Sequence, residues 1–191
     1  MANISLIVGL GNPGKEYAQT RHNAGFWFVE RLADQYGITL KADPKFHGIS
    51  GRGNIEGQDV RLLLPTTLMN RSGQSVVPFA KFYQIAPEAM LIAHDELDMN
   101  PGIIRLKTGG GHGGHNGLRD LHAHLSANYW RLRLGIGHPG DRNKVVDYVL
   151  SRPSQDDEIV IMRAIDQAAD QIGLILQGEM AKAMQALHTR S

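Results

Sequence analysis

Ile4-Ser-Leu-Ile-Val-Gly-Leu-Gly-Asn-Pro-Gly14 is the stretch on which the reading of the fold turns. Ile4 to Val8 is a short apolar run rich in β-branched residues and closed by glycine, the mark of a buried strand. Gly9-Leu-Gly-Asn-Pro-Gly14 then matches, letter for letter, the G-x-G-x-x-G pattern of dinucleotide-binding proteins. That pattern needs a helix that opens at the glycines, so that its N-terminal N–H groups hold a pyrophosphate. Here Lys15 to Asn23 is polar, and a helical period begins only near Ala24, about ten residues too late. The acid expected after a second strand is also missing, since Glu30 and Asp34 fall on the polar face of that helix. The glycines are read instead as a tight strand-to-loop bend.

Working outward, Phe26, Val29, Leu32, Ala33 and Tyr36 share one helical face, Glu30, Arg31 and Asp34 the other, and Gly37 marks the stop. Phe46 to Arg52 and Val60 to Leu64 read as paired strands about a turn at Gly57, with Pro65 ending the second. Ser72 to Tyr83 is helical by period, but Pro78 inside it predicts a late start or a bend. Met90 to Ala93 is a further buried strand that ends at His94-Asp95-Glu96. A turn at Asn100-Pro-Gly102 leads into the alternating run Ile103 to Thr108. Gly109-Gly-Gly-His-Gly-Gly-His-Asn-Gly117 must be loop, because so many glycines cannot hold a helix. A short helix from Leu118 and an alternating strand, Trp130 to Ile136, follow. The C-terminal part is helical: Ser154 caps, Asp156, Asp157 and Glu158 favour the first turn, and Gly178 divides two helices. Strands alternating with helices, plus hairpin-like pairs and no linker or repeat, predict one α/β domain over 1–191 with a mixed sheet flanked by helices.

Composition sets the outer bounds. A chain of 191 residues and 21.0 kDa is one domain by size. Folding should bury roughly 70% of its unfolded surface. There is no cysteine, which excludes disulfides, thiolate metal sites and cysteine nucleophiles. Met1 to Leu10 lacks the features of a signal peptide, and no apolar run reaches the ~20 residues of a membrane span, so a cytoplasmic protein is expected. The net charge of +1 is uneven: residues 99–144 carry seven Lys and Arg against two acids. Within that block Arg105 and Lys107 lie two apart on one alternating strand, and Arg131 and Arg133 repeat the spacing on another, with Lys144 soon after. Same-face cations on two strands suit contacts with nucleic-acid phosphates, while the scarcity of aromatics there argues against base stacking.

The chemistry-bearing residues are few. His22 and Asn12 flank the first loop, and Asp95 stands at the carboxyl end of a buried strand, where ligands of open α/β sheets gather. An Asp that accepts from one imidazole nitrogen fixes the tautomer and leaves the other nitrogen as a base. With no cysteine and no G-x-S-x-G elbow, the nucleophile would be water. Asn70 and Asn116 offer carboxamide donors for a carbonyl or an oxyanion; the plainer reading makes them a turn residue and the N-cap of the next helix. His112-x-x-His115 invites a metal, but the surrounding glycines supply no frame to aim both imidazoles, and no H-E-x-x-H occurs.

V-G-L-G-N-P-G, T-R-H-N-A-G-F, P-T-T-L-M-N-R-S-G, A-H-D-E-L-D, K-T-G-G-G-H-G-G-H-N-G-L and R-L-G-I-G-H-P-G stand in this order between Val8 and Gly140. Together they resemble the bacterial peptidyl-tRNA hydrolase family. The resemblance implies a monomeric α/β globule with a twisted mixed sheet. It also implies hydrolysis of the ester between a peptide and the terminal ribose of tRNA, with no metal or other cofactor and no obligate protein partner. By position, His22 would activate water, Asp95 would hold His22 in its basic tautomer, and Asn12 would help distinguish blocked from free aminoacyl-tRNA. Asn70 and Asn116 would bind the peptide, and Tyr17, Leu68, Met69 and His115 would line the substrate groove. Arg105, Lys107, Arg133 and Lys144 would hold tRNA phosphates. Leu68 stands where relatives often carry an aromatic residue. Two rival readings are a metal-dependent hydrolase built on the glycine-rich histidines and a non-catalytic RNA-binding protein.

Overall fold

The structure, a computed structural model, describes residues 3–188; residues 1–2 and 189–191, the ends of the expected 1–191 domain, lie outside that range. The opening apolar run forms β1 (Leu6–Gly9), and α1 (Ala24–Tyr36) follows only after a loop and a short 3-10 turn over Arg21–Asn23. Next come β2 (Lys41–Asp43), β3 (Gly48–Ile55), β4 (Gln58–Pro65) and α2 (Gly73–Phe82). The second half holds β5 (Met90–Glu96), β6 (Ile104–Thr108), α3 (Asn116–His124) and β7 (Trp130–Gly135). Helices α4 (Val145–Val149), α5 (Gln155–Asp170), α6 (Ile172–Leu176) and α7 (Met180–His188) close the chain.

The strands make a seven-stranded mixed sheet in the order β2-β3-β4-β1-β5-β7-β6. β1 is parallel to both β4 and β5, and β5 to β7, while the β2–β3, β3–β4 and β6–β7 pairs are antiparallel. Alternation along β1 divides the interior into two layers. Ile7 joins Leu62, Leu91, Ala93 and Leu132 under α1, α5, α6 and α7, whereas Leu6 and Val8 join Leu63 and Ile92 under α2 and α3. The predicted α/β globule with helices on both sheet faces is what forms.

Gly9 and Gly25 are required by close approach. A Cβ on Gly9 would collide with the Gly25 carbonyl, and one on Gly25 with the Ala93 carbonyl, so α1 lies directly on β1 and β5. This contact sets the 3-10 turn carrying His22 above the carboxyl ends of those two strands. Chains leave β1 and β5 there toward opposite parts of the sheet, the place where α/β folds form clefts.

Several local readings shift. Phe46 lies in a 3-10 turn begun by Pro44 rather than in β3, and packs edge-on against Phe79 of α2 at 5.2 Å. Helix α2 starts at Gly73 rather than late and is unbroken through Pro78 to Phe82. Pro78 and Gln74 are both exposed, so the carbonyl that loses its helical partner is on the solvent side. In α1 the buried face includes Phe28, while Phe26 and Tyr36 are only partly buried at its edges. Ser154 caps α5 as expected, accepting from Asp157 N–H at 3.1 Å, and Gly178 separates α6 from α7. The three-residue β2 and the short α4 carry too few periodic residues to have been read. At the sheet's edge, the outward N–H of Leu106 on β6 donates to His188 Nε2 at 2.9 Å, which covers a group that would otherwise invite pairing.

Candidate active site

The cleft above the strand ends holds about 330 Å³ and is lined by Asn12, Tyr17, His22, Leu68, Met69, Asn70, Asp95, His115 and Asn116. Every catalytic or substrate-groove residue predicted from the sequence is therefore brought to one place. At its floor Asp95, 3% exposed, accepts two hydrogen bonds. His22 Nδ1 donates to Oδ2 at 2.7 Å, and His115 Nε2 donates to Oδ1 at 2.8 Å.

The tautomers follow from the partners. Leu118 N–H donates to His115 Nδ1 at 3.3 Å, so the proton of that ring sits on Nε2, facing Asp95. His115, not Asn116, is thus the N-cap of α3, and the glycine loop ends in a residue that serves helix and site together. His22 gives its Nδ1 proton to Asp95, which leaves Nε2 with a free lone pair. Beneath them His94 donates from Nδ1 to the Asp95 backbone carbonyl at 2.8 Å and packs its ring on His115 at 5.1 Å. Burial, with help from neighbouring His115, pushes His94 down to about 3, so it is neutral wherever an enzyme works.

Charge at the pair is set by competing effects. Burial is the largest influence on Asp95 and favours its neutral form, but His22 and His115 together outweigh it and hold the carboxyl below its ordinary value. For His22 burial is again the largest single influence and lowers the pKa. The Asp95 charge and the hydrogen bond to it more than offset that, and the net shift is upward. A histidine base of raised pKa gains basicity but needs a higher pH to be unprotonated.

The amides around this floor are fixed or free in a useful division. Asn23 grips Asn12 through its backbone, accepting from Asn12 N–H at 2.8 Å and donating to Asn12 O at 2.9 Å. Asn12 Oδ1 accepts from Met69 N–H at 2.7 Å, so its amide nitrogen is the group left to offer a ligand. Asn70, in a 3-10 turn ahead of α2, and Asn116, at the start of α3, are exposed at the cleft.

One wall was not legible in the sequence. Val145, Val146 and Val149 of α4 line the cleft, with Leu150 just after it, and Val146 is 66% exposed. Arg21, next to His22, staples this wall: it donates from Nη1 to Tyr148 O at 2.9 Å and to Ser151 Oγ at 2.6 Å. Its guanidinium also stacks 3.8 Å from the centre of the Tyr148 ring. The only signal was the apolar run Val145-Val-Asp-Tyr-Val-Leu150, which reads equally well as core.

The cationic face divides in two. Register pairs Arg105 with Arg133 and Lys107 with Arg131 across β6 and β7, so the four share one sheet face, opposite Leu106 and Leu132. Arg133 approaches Glu96, a residue of the cleft wall, at 4.0 Å, which links that face to the site. Arg131 departs from the phosphate reading: it is 3% exposed and spends its guanidinium on the Gly109 and Gly111 carbonyls. Lys144 lies apart from the sheet face, exposed just ahead of α4.

The metal question has a specific answer in geometry. His112 and His115 do not converge, since His112 Nδ1 accepts from Gly114 N–H at 3.0 Å. A different set does: one ligand atom each of His22, Asp95 and His115 lie within 4.8 Å of one another. Those atoms already satisfy one another as donors and acceptor, and a cation there would consume the Nδ1 proton that orients His22. The donor set fits a hydrogen-bonded base better than a metal centre.

The site is thus a cleft at an α/β switch point whose floor holds a histidine bonded to a buried aspartate, with exposed carboxamides at its rim. A sequence profile described as peptidyl-tRNA hydrolase matches residues 6–191. A peptidyl-tRNA hydrolase of Acinetobacter baumannii (strain AYE) is 70% identical over 188 residues, covering 98% of this chain and 97% of the relative. One from Psychrobacter cryohalolentis is 60% identical over 180 residues, covering 94% and 93%. The crystal structure of peptidyl-tRNA hydrolase from Acinetobacter baumannii superposes with a TM-score of 0.97 at 70% identity, covering 98% of this chain and 96% of that one. The chain belongs to the peptidyl-tRNA hydrolase family.

Proposed function

We propose that the chain hydrolyses the ester joining a peptide, or an N-blocked aminoacyl group, to the 3′-terminal ribose of tRNA, with His22 as the base that activates water. The observation that carries this reading is the doubly hydrogen-bonded Asp95, which leaves His22 Nε2 as a basic lone pair at the cleft floor. Water, deprotonated by Nε2, attacks the ester carbonyl carbon. The tetrahedral intermediate collapses with cleavage of the bond to ribose O3′, which takes the proton back from His22. Peptide acid and free tRNA leave, and the tRNA returns to translation.

The other residues take their parts from position and chemistry. Asn70 and Asn116 donate to peptide carbonyls and to the oxyanion, help worth about 3–4 kcal/mol at best for one donor. Asn12, with its oxygen already committed, presents its amide nitrogen to the acyl group and favours blocked over free aminoacyl ends. Tyr17, Leu68 and Met69, with the α4 wall, cover the apolar parts of peptide and terminal nucleotide. Both nitrogens of His115 are engaged within the protein, so it meets substrate with its ring face while its hydrogen bonds serve Asp95. Arg105, Lys107 and Arg133 hold phosphates from the sheet face, and Lys144 does so from the side of α4. The reading calls on residues of one chain only and takes it to act as a monomer of one domain over 1–191, without cofactor. Among the described residues no helix is long and apolar enough to cross a membrane. A cytoplasmic location suits a tRNA substrate.

The assay that tests the reading follows release of N-acetyl-amino acid from N-acetyl-aminoacyl-tRNA in EDTA, with free aminoacyl-tRNA as control. Rapid cleavage of the blocked substrate alone is expected. Activity lost to EDTA and restored by metal would contradict it, and so would binding without cleavage. A second prediction concerns the cationic face. Arg133→Ala should weaken tRNA binding and flatten the dependence of log affinity on log salt by about one unit. An unchanged slope removes Arg133 from the phosphate contacts.

A further inference from the structure

Arg131 sits on the cationic face in register with Lys107, yet it is buried and its hydrogen bonds go to the loop that covers it. Nη1 donates to the Gly111 carbonyl and Nη2 to the Gly109 carbonyl, both at 2.8 Å. Gly110 lies between them, and a Cβ there would stand 2.7 Å from Lys107 Nζ and 3.1 Å from Arg131 Nη2. The first turn of the glycine loop is therefore clamped from below. At its far end the same loop delivers His115 to Asp95 and Asn116 to the cleft. Gly109, Gly110, Gly113 and Gly114 all have positive φ, and between the anchors the loop has little side chain to define its path. Arg131 anchors one end and the His115 hydrogen bonds the other, and between them the loop's own bonds are local, His112 Nδ1 accepting from Gly114 N–H and His112 O from His115 N–H, both at 3.0 Å.

We propose that Arg131 is a positioning residue for catalysis: it sets the path of the glycine loop so that His115 meets Asp95 and Asn116 meets the acyl end of the substrate, and it makes no contact with tRNA. The inference rests on the reading of His22 and Asp95 as the base. Arginine suits the task because its planar fork spans two carbonyls, whereas a lysine ammonium is a point charge on a flexible stem.

The test compares Arg131→Met and Arg131→Lys with His115→Ala on two substrates, N-acetyl-aminoacyl-tRNA and the N-acetyl-aminoacyl ester of adenosine, which carries no phosphate. Arg131→Lys keeps the buried charge and covers the case in which Arg131→Met fails to fold. The expected result is a loss in kcat/KM on the order of tenfold, alike on both substrates, with the salt dependence of tRNA binding unchanged. The acid limb of the pH profile should also move to higher pH, because Asp95 relieved of the His115 N–H draws the His22 proton more strongly. His115→Ala should move it in the same direction, and the double variant Arg131→Met/His115→Ala should lose less than the product of the two single losses. A loss confined to the tRNA substrate with a flatter salt slope would make Arg131 a phosphate contact. An unmoved limb with multiplying losses would make it a packing residue, and either result overturns the proposal. Failure of the base reading would show separately, as turnover surviving in His22→Asn.

Discussion

His22→Asn is expected to lower turnover of N-acetyl-aminoacyl-tRNA on the order of 10³-fold while leaving tRNA affinity within about twofold of the parent. Asparagine keeps a polar group of similar reach beside Asp95 but has no lone pair basic enough to take a proton from water. The cations assigned to tRNA lie on β6 and β7 and ahead of α4, and none of them touches His22 among the contacts at the site. Binding and chemistry should therefore separate cleanly in this variant. Single-turnover hydrolysis and a salt-matched binding titration measure the two. Rates near those of the parent would remove His22 as the base.

Asp95→Asn should cost at least as much, for a reason that resides in His115. The N–H of Leu118 holds His115 with its proton on Nε2, so His115 will keep donating to the side-chain oxygen of an asparagine at position 95. The amide nitrogen of that asparagine then faces His22 Nδ1 and donates to it. His22 must carry its own proton on Nε2, the atom that should receive one from water. A tautomer inverted in this way costs about 10⁴-fold where the equivalent aspartate of a catalytic triad is replaced. The comparable expectation here is a loss of about 10³–10⁴-fold with tRNA binding intact. Near-normal rates would show that Asp95 is not what sets the tautomer. Restoring much of the rate by also changing His115 to Ala would support the account, since the asparagine would then be free to turn its oxygen toward His22.

Strands β1, β5 and β7 and helix α1 were legible because their apolar residues follow one period over most of their length. The glycine fingerprint was read against on spacing and on the missing acid, and α1 does begin only at Ala24; Gly9 serves, with Gly25, the close contact of α1 with the sheet. The residues of the site were legible as types and places in the chain. Their meeting was not, because His22 and Asp95 are 73 positions apart and only the packing of α1 against β5 joins them. The double engagement of Asp95 was hidden for another reason. His115 looked like half of a metal pair with His112, and a loop of glycines carries no period from which its direction can be read. Arg131 misled in the opposite way. Alternation assigned its face correctly, but a face covered by a loop and a face open to phosphate have the same pattern in sequence. The α4 wall was lost to a similar ambiguity, exposed valines being indistinguishable from buried ones without their neighbours.

The central claim is that Asp95 raises the basicity of His22 and thereby sets the pH at which the enzyme works. Its most direct test is the pH dependence of kcat/KM for N-acetyl-aminoacyl-tRNA, in chelator, for the parent and for Asp95→Asn. Burial alone lowers the His22 pKa and the Asp95 charge reverses that, so the parent's acid limb should fall above the ordinary value of 6.5. In Asp95→Asn the burial remains and the charge is gone, so whatever activity survives should have its limb below that value. Two profiles with the same midpoint would mean that the titrating base is not the histidine that Asp95 holds, and the account of the site would fail.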